Sequence, residues 1–306
     1  MIGKITLGTR GSELARAQTL LVEKAIRNVH PNVEIDTKII VTRGDNAKVV
    51  DVQTGRKGLF TAEIERALLA GKVDVAVHSA KDLPSETRAG AEIAAVLSRA
   101  SIDDVIISKH SGGFASLRPG ATLATGSVRR QRQLHWKRAD LKLVDLRGNV
   151  PTRWRKLVQR DWDGMVLARA GLERLGFSAT RTEIGLEGVQ FFLEILPNEI
   201  FVPAGGQGII ALQIRSDDQS TKAFLESVSD RETLLCLRAE REFLSRLHGD
   251  CNFPVGVHAT VSNGTMKLRA QVFEGESPAP RQAEIEGASN EGAQLAAELL
   301  RKIEQD

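Results

Sequence analysis

An α/β chain of two similar lobes followed by a small α+β domain is the fold class that the sequence predicts. Three observations predict it. Short apolar strands alternate with amphipathic helical stretches over residues 1–99, the pattern of βαβ units. The same rhythm repeats between 105 and 175. After Asp217-Asp218 it changes to two helices, three alternating strands and a closing helix. At 306 residues there is room for two or three domains, and the 42% hydrophobic and 26% charged content is that of a globular chain.

Ile2–Leu7 reads as a strand, followed by the loop Thr9-Arg10-Gly11-Ser12. Ser12 is a good N-cap for a helix over Arg16–Val29, with Ala17, Leu20, Leu21, Ala25 and Val29 at helical spacing. Val33–Val41 is a second strand, 44–58 is a polar, glycine-bearing and mobile segment, and Thr61–Ala70 is a helix. Val73, Val75 and Val77 then form a buried strand, because β-branched side chains suit a pleated surface covered on both faces. It ends abruptly in His78-Ser79-Ala80-Lys81-Asp82-Leu83-Pro84. In an open α/β sheet ligands sit beyond the carboxyl ends of strands, so a carboxylate, a lysine and a histidine meet where chemistry is expected.

Residues 100–104 cross into a second lobe, with strands at 105–107, 122–125, 141–146 and 164–168 and helices at 128–138 and 152–159. A second crossing, Glu199–Gly208, precedes the strand Ile209–Ile214, which returns to the first lobe. Helices over 219–228 and 231–247, strands at 255–261, 266–273 and 282–285 and a helix over 288–303 complete the chain. The expected domains are therefore 1–99 with 201–217, then 100–200, then 218–306.

Nothing in the chain matches a membrane span or a signal peptide, which with two cysteines, Cys236 and Cys251, points to the cytoplasm. Scattered histidines and the absence of paired cysteine motifs argue against a metal site. The net charge is +3, but residues 129–169 carry a local charge of +8. Arg129, Arg130, Arg147 and Arg153 fall in the first turn of a helix or just after a strand, where backbone amides and the helix dipole also favour anions. Arg132, Arg138, Lys156 and Arg160 read as a solvated face. Aromatic residues amount to 4% with no tyrosine, which leaves few stacking platforms for nucleic acid. Gly206-Gln207-Gly208 looks like part of a dinucleotide fingerprint but precedes a strand instead of following one, and is discounted. Cys236 lies in an apolar helix and reads as core. Cys251 sits on a loop, Gly249-Asp250-Cys251-Asn252-Phe253-Pro254, where an arginine-rich cleft would favour its thiolate.

Nine motifs in order carry a resemblance. They are Thr9-Arg10-x-Ser12, Val41-Thr42-Arg43-Gly44-Asp45, Lys57-Gly58-Leu59-Phe60, Ala76-Val77-His78-Ser79-x-Lys81-Asp82-x-Pro84, Ser127-x-Arg129-Arg130, Leu146-Arg147-Gly148-Asn149-x-x-Thr152-Arg153, Ala170-Gly171-Leu172-x-Arg174-Leu175, Pro203-x-x-Gly206-Gln207-Gly208 and Cys251-x-x-Pro254-x-Gly256. Together they resemble the hydroxymethylbilane synthase, or porphobilinogen deaminase, family over nearly the whole chain.

The resemblance implies two lobes like those of type II periplasmic binding proteins plus a small C-terminal α+β domain. It also implies a dipyrromethane cofactor held by a thioether to Cys251. The expected reaction joins four porphobilinogen molecules head to tail with loss of ammonia, then hydrolyses the tetrapyrrole free. Asp82 is the implied catalytic carboxylate, placed to stabilise the cationic azafulvene left when ammonia departs. Ser12, Lys57, Lys81, Asp82, Ser127, Arg129 and Arg130 are implied cofactor binders. Arg10, Phe60, Arg147, Arg153 and Arg174 are implied substrate binders. The polar segment 44–58 resembles the family's mobile lid. Two departures stand out: Gln53 where the family often has a lysine, with Arg56 beside Lys57, and Asp250 before Cys251 where a glycine is common.

The expected partner is a small acidic pyrrole, with no nucleic acid and no membrane, and the chain is expected to be a monomer. A two-lobed small-anion binding or sensing module without catalysis is the alternative, but such modules lack a reactive loop cysteine.

Overall fold

A computed structural model describes residues 2–42, 61–177, 182–186, 188–247, 253–275 and 277–305. The expectations for Lys57, Phe60, the polar segment 44–58 and Cys251 fall outside those residues.

The first sheet opens with β1 (Lys4–Thr9), α1 (Glu13–Val29) and β2 (Glu34–Ile39). α2 (Ala62–Leu69) and β3 (Val75–Ser79) follow, then β4 (Ala91–Val96). Ser12 caps α1 as expected, its Oγ accepting from the Ala15 N–H at 3.3 Å. The helix turns a different face to the sheet from the one the sequence suggests. Ala15, Gln18, Thr19, Val22 and Ile26 are buried, whereas Leu20, Leu21 and Val29 are exposed. Both series have helical spacing. The chosen phase brings Gln18 against Ser79 of β3, with its Nε2 donating to the Ser79 Oγ at 2.8 Å.

The chain then crosses to a second sheet through β5 (Asp104–Ser108), β6 (Thr122–Ala124), α3 (Val128–Lys137), β7 (Lys142–Val144), α4 (Val150–Gln159), β8 (Gly164–Ala168) and α5 (Arg169–Arg174). β9 (Glu183–Leu186) and β10 (Val189–Leu196) form a hairpin at its edge, where the sequence suggested no element. β11 (Ile210–Arg215) returns to the first sheet, as expected, and lies antiparallel between β3 and β4. The orders are β2-β1-β3-β11-β4 and β7-β6-β8-β5-β10-β9. In each sheet three parallel strands are followed by one antiparallel strand that has crossed from the other side. The two sheets are thus repeats of one plan, and purely parallel sheets are excluded by β11 and β5.

α6 (Gln219–Glu226) and α7 (Arg231–Arg246) lead to the antiparallel sheet β12 (Val255–Ser262), β13 (Thr265–Val272) and β14 (Arg281–Ala288), covered by α8 (Gly292–Gln305). Cys236 packs in this core with Phe243, Met266 and Leu299. Burial and the nearby Glu240 carboxylate push its thiol up to about 12, which keeps it inert. No helix among the described residues is long and apolar enough to cross a membrane.

Candidate active site

The carboxyl ends of β1 and β3 open onto two adjoining hollows. Arg10, Ser12, Gln18, Ser79 and Asp82 line one. Gln18, Ser79, Lys81, Gly171, Arg174 and Gly206 line the other, so that both sheets contribute walls. Local sequence explains the placement. β3 is a buried valine strand, and Ala80–Asp82 is a single 3₁₀ turn stopped at Leu83-Pro84, so Lys81 and Asp82 project from a rigid strand end. Asp82 is exposed at the wall of its hollow.

His78, one residue deeper, is 4% exposed. Burial pushes its imidazole down to about 4, and the Arg10 guanidinium acts in the same direction. It is therefore neutral near pH 7. Lys81 is held against an amide rather than a carboxylate, its Nζ donating to Gln207 Oε1 at 3.3 Å. Burial and the Arg130 guanidinium lower its ammonium to about 8, partly offset by Asp82 and Asp104.

Arg129 and Arg130 lie at the start of α3, as the sequence suggests, but they are buried and face an acid. Arg129 Nη2 and Arg130 Nη2 donate to the two oxygens of Asp104 at 2.8 and 2.7 Å. Burial alone would raise the Asp104 carboxyl, but the two guanidiniums hold it well below the usual range. Further donation goes to Val202 O from Arg129 and to Val166 O from Arg130. The Nε atoms of both arginines have no hydrogen-bond partner among the described residues. Ser127 caps α3, its Oγ accepting from the Arg130 N–H at 3.5 Å.

Arg174 enters the hollow from α5. Burial lowers its guanidinium to about 10, its Nη2 donates to Gly208 O at 2.7 Å, and its Nε has no partner among the described residues. Arg147 pairs with Asp145, and Arg153 Nε donates to Gly148 O at 2.7 Å. Those two flank the start of α4 and do not line the hollows.

Arg132 and Arg138, expected to be solvated, are engaged. Arg132 donates to Gly275 O and Ser277 O and lies over the Phe273 ring, while Arg138 pairs with Asp140 at 2.8 Å. The guanidinium fork finds carbonyls as readily as water wherever a loop passes within its reach.

Two residues that the sequence did not single out, Asp104 and Glu240, complete the centre together with Gln207, which the sequence presents only as part of a motif and with no role. Asp104 joins the arginine pair. Gln207 joins Asp104 to Lys81, its Nε2 donating to Asp104 Oδ1 at 2.8 Å. Glu240 of α7, fully buried, accepts from Arg99, from the Gly206 N–H and from the Ala259 N–H. Only pairing at distance reveals them, and sequence spacing carries no such signal.

The donor set fits an acidic ligand. Lysine and arginine N–H groups converge with hydroxyls, several are desolvated, and the Nε atoms of Arg129, Arg130 and Arg174 find no partner among the described residues. Buried donors of this kind cost free energy until an acceptor arrives. Among the described residues no cluster of His, Cys, Asp and Glu could hold a metal ion.

Residues 5–223 match the family model described as porphobilinogen deaminase, dipyromethane cofactor binding domain, and residues 234–305 match the porphobilinogen deaminase C-terminal domain. The chain is 40% identical over 298 residues to the porphobilinogen deaminase of Syntrophus aciditrophicus, covering 97% of this chain and 94% of that protein. To the porphobilinogen deaminase of Syntrophomonas wolfei it is 42% identical over 271 residues, covering 88% and 84%. Among solved structures it is similar to the methionine binding protein MetQ at 14% identity, with a TM-score of 0.45, covering 76% of this chain and 92% of that one.

Proposed function

Because the chain belongs to the porphobilinogen deaminase family, a family of transferases, we propose that it builds hydroxymethylbilane from four porphobilinogen molecules with Asp82 as the catalytic carboxylate. The observation that carries this reading is the junction of Lys81 and Asp82 at the end of β3 with Arg10, Ser12 and Arg174 around shared hollows. A dipyrromethane, bound by a thioether to Cys251, supplies the primer to which pyrrole units are added. Lys81, Asp82, Ser12, Ser127, Arg129 and Arg130 are its proposed holders, with Lys57 from the polar segment. Arg10, Arg147, Arg153, Arg174 and Phe60 are the proposed partners of incoming substrate.

Within this reading the division of labour follows from charge. The guanidiniums and the Lys81 ammonium neutralise acetate and propionate groups, which Arg does best through paired N–H donors. Asp82, exposed at the wall and fixed by the 3₁₀ turn, offers an acceptor to pyrrole N–H groups as positive charge develops, and it can take up or return the proton at its Oδ atoms. His78 stays neutral beneath it and adds no competing charge.

We also infer that residues 1–99 with 201–217, 100–200 and 218–306 are the three domains. The chain is read as a cytoplasmic monomer that takes neither nucleic acid nor membrane as partner.

The deciding experiment weighs the purified protein after exposure to porphobilinogen. The wild type should exceed its 33.3 kDa chain mass by one dipyrromethane and turn pink with acidic dimethylaminobenzaldehyde. Cys251→Ser should do neither. A bare chain in the wild type sinks the covalent assignment. Asp82→Ala should fold normally yet lose at least 100-fold in turnover, in line with the roughly 10²–10⁴ that such groups contribute. Near-normal turnover removes Asp82 from its role.

A further inference from the structure

We propose that Gln207 is a positioning residue of this site, its single amide fixing the Lys81 ammonium of one sheet in line with the Asp104 carboxylate that holds the arginine pair of the other. The proposal rests on the reading above, in which Lys81, Arg129 and Arg130 act on one acidic ligand.

Gln207 is 1% exposed, at the centre of the molecule. Its Nε2 donates to Ile102 O at 2.6 Å and to Asp104 Oδ1 at 2.8 Å. Its Oε1 accepts from Lys81 Nζ at 3.3 Å. Its backbone carbonyl accepts from Arg99 Nε at 2.8 Å. No part of the amide is idle, and its orientation is set by chemistry: the Nε2 end must face the carboxylate and the carbonyl, and the Oε1 end must face the ammonium.

The flanking backbone enforces this. Gly206 and Gly208 have φ of +74° and +86°. A Cβ on Gly206 would lie 3.0 Å from the Ala80 and Lys81 backbone, and one on Gly208 would lie 2.5 Å from Ala100 O. The turn that sequence spacing presents as a failed dinucleotide fingerprint is a wedge seated against the Lys81 loop and the first crossing.

The charged groups around Lys81 are Asp82 beside it, Asp104 from β5, and Arg129 and Arg130 from α3. Two arginines oppose the ammonium, so the amide oxygen is the neutral acceptor that keeps it charged and in place. Removing that acceptor favours the neutral amine; a carboxylate in its place favours the ammonium.

The test is competitive amine labelling of the purified full-length protein across pH, with peptide mass mapping and exposed lysines as internal standards. It needs no turnover, so it remains decisive if the wild type fails to acquire its cofactor, an outcome that would count against the functional reading alone. Gln207→Glu should slow labelling of Lys81 at pH 7 by about tenfold, one pKa unit upward. Gln207→Met, of equal length without either polar contact, should speed it about threefold. The basic limb of kcat/KM against pH should move up in the first variant and down in the second, and vanish in Lys81→Arg. Circular dichroism identifies a variant that does not fold, and the other then carries the test. Wild-type labelling of Lys81 in a folded variant overturns the proposal, as does a basic limb that persists in Lys81→Arg.

Discussion

His258 shows how a single side chain can fix the acid limit of this molecule. It lies on β12, 7% exposed, and burial lowers its imidazole to about 3, helped by the Arg99 and Arg269 guanidiniums. His78 is lowered to about 4. A histidine kept neutral in the native state adds no pH dependence above its unfolded pKa near 6.5. Below that the unfolded chain gains the proton and the native one does not, so stability falls by about 1.4 kcal/mol per pH unit per histidine. The carboxylates act in the same direction at lower pH: Asp104, Asp163 and Asp230 are held below 3.8 and begin to lose stability only as pH falls past that value. The window between pH 6.5 and 4.5 therefore belongs to the histidines. Melting temperature should drop steadily through it, and His258→Gln should flatten the slope; an unchanged slope would show that this imidazole protonates freely. At this scale much of the site is legible in sequence, because Lys81, Asp82, Arg10, Ser12 and Arg174 lie in short motifs at strand and helix ends. Asp104 and Gln207 are not. Their meaning comes from partners 25 and 126 residues away in the chain.

Among the elements, the turn before β11 is the least tolerant. Gly208→Ala combines a left-handed backbone with a Cβ driven against a carbonyl of the first crossing. A cost of about 3 kcal/mol is expected from strain and overlap together. Gly176 has a similar φ of +84° with nothing among the described residues within 4 Å of an added Cβ, so Gly176→Ala should cost only about 1 kcal/mol. Urea midpoints of the two variants give the comparison, and equal losses would refute the contact argument. Most elements follow from period and capping, as with the valine strand β3 and the Ser12 cap. The exceptions have physical causes. β4, Ala-Glu-Ile-Ala-Ala-Val, is poor in the residues that favour strands, and it is made a strand by pairing with β11. In α1 two apolar series share one period, and only the sheet beneath chooses between them. β9 and β10 form a strand pair because β10 lies against β5, a partner 84 to 92 residues away in sequence.

For the whole molecule, Glu240 is the knot. Its carboxylate, 0% exposed, ties Arg99 at the exit of the first sheet, Gly206 on the second crossing and Ala259 on the third sheet. Replacing one member of such a buried pair leaves the other charge uncompensated, so Glu240→Gln should cost about 3 kcal/mol. Differential scanning calorimetry should show a lower, broader transition as the third sheet separates from the rest, and a wild-type endotherm would show the pair to be dispensable. The two crossings also bond to each other: Ala100 N donates to Gly208 O at 3.1 Å, and Leu97 N donates to Ile210 O at 3.2 Å. A single strap would let one half swivel freely on the other. Two straps laced side by side resist that twist, as two rails keep a drawer square, so each pyrrole addition would meet the same face at the same angle.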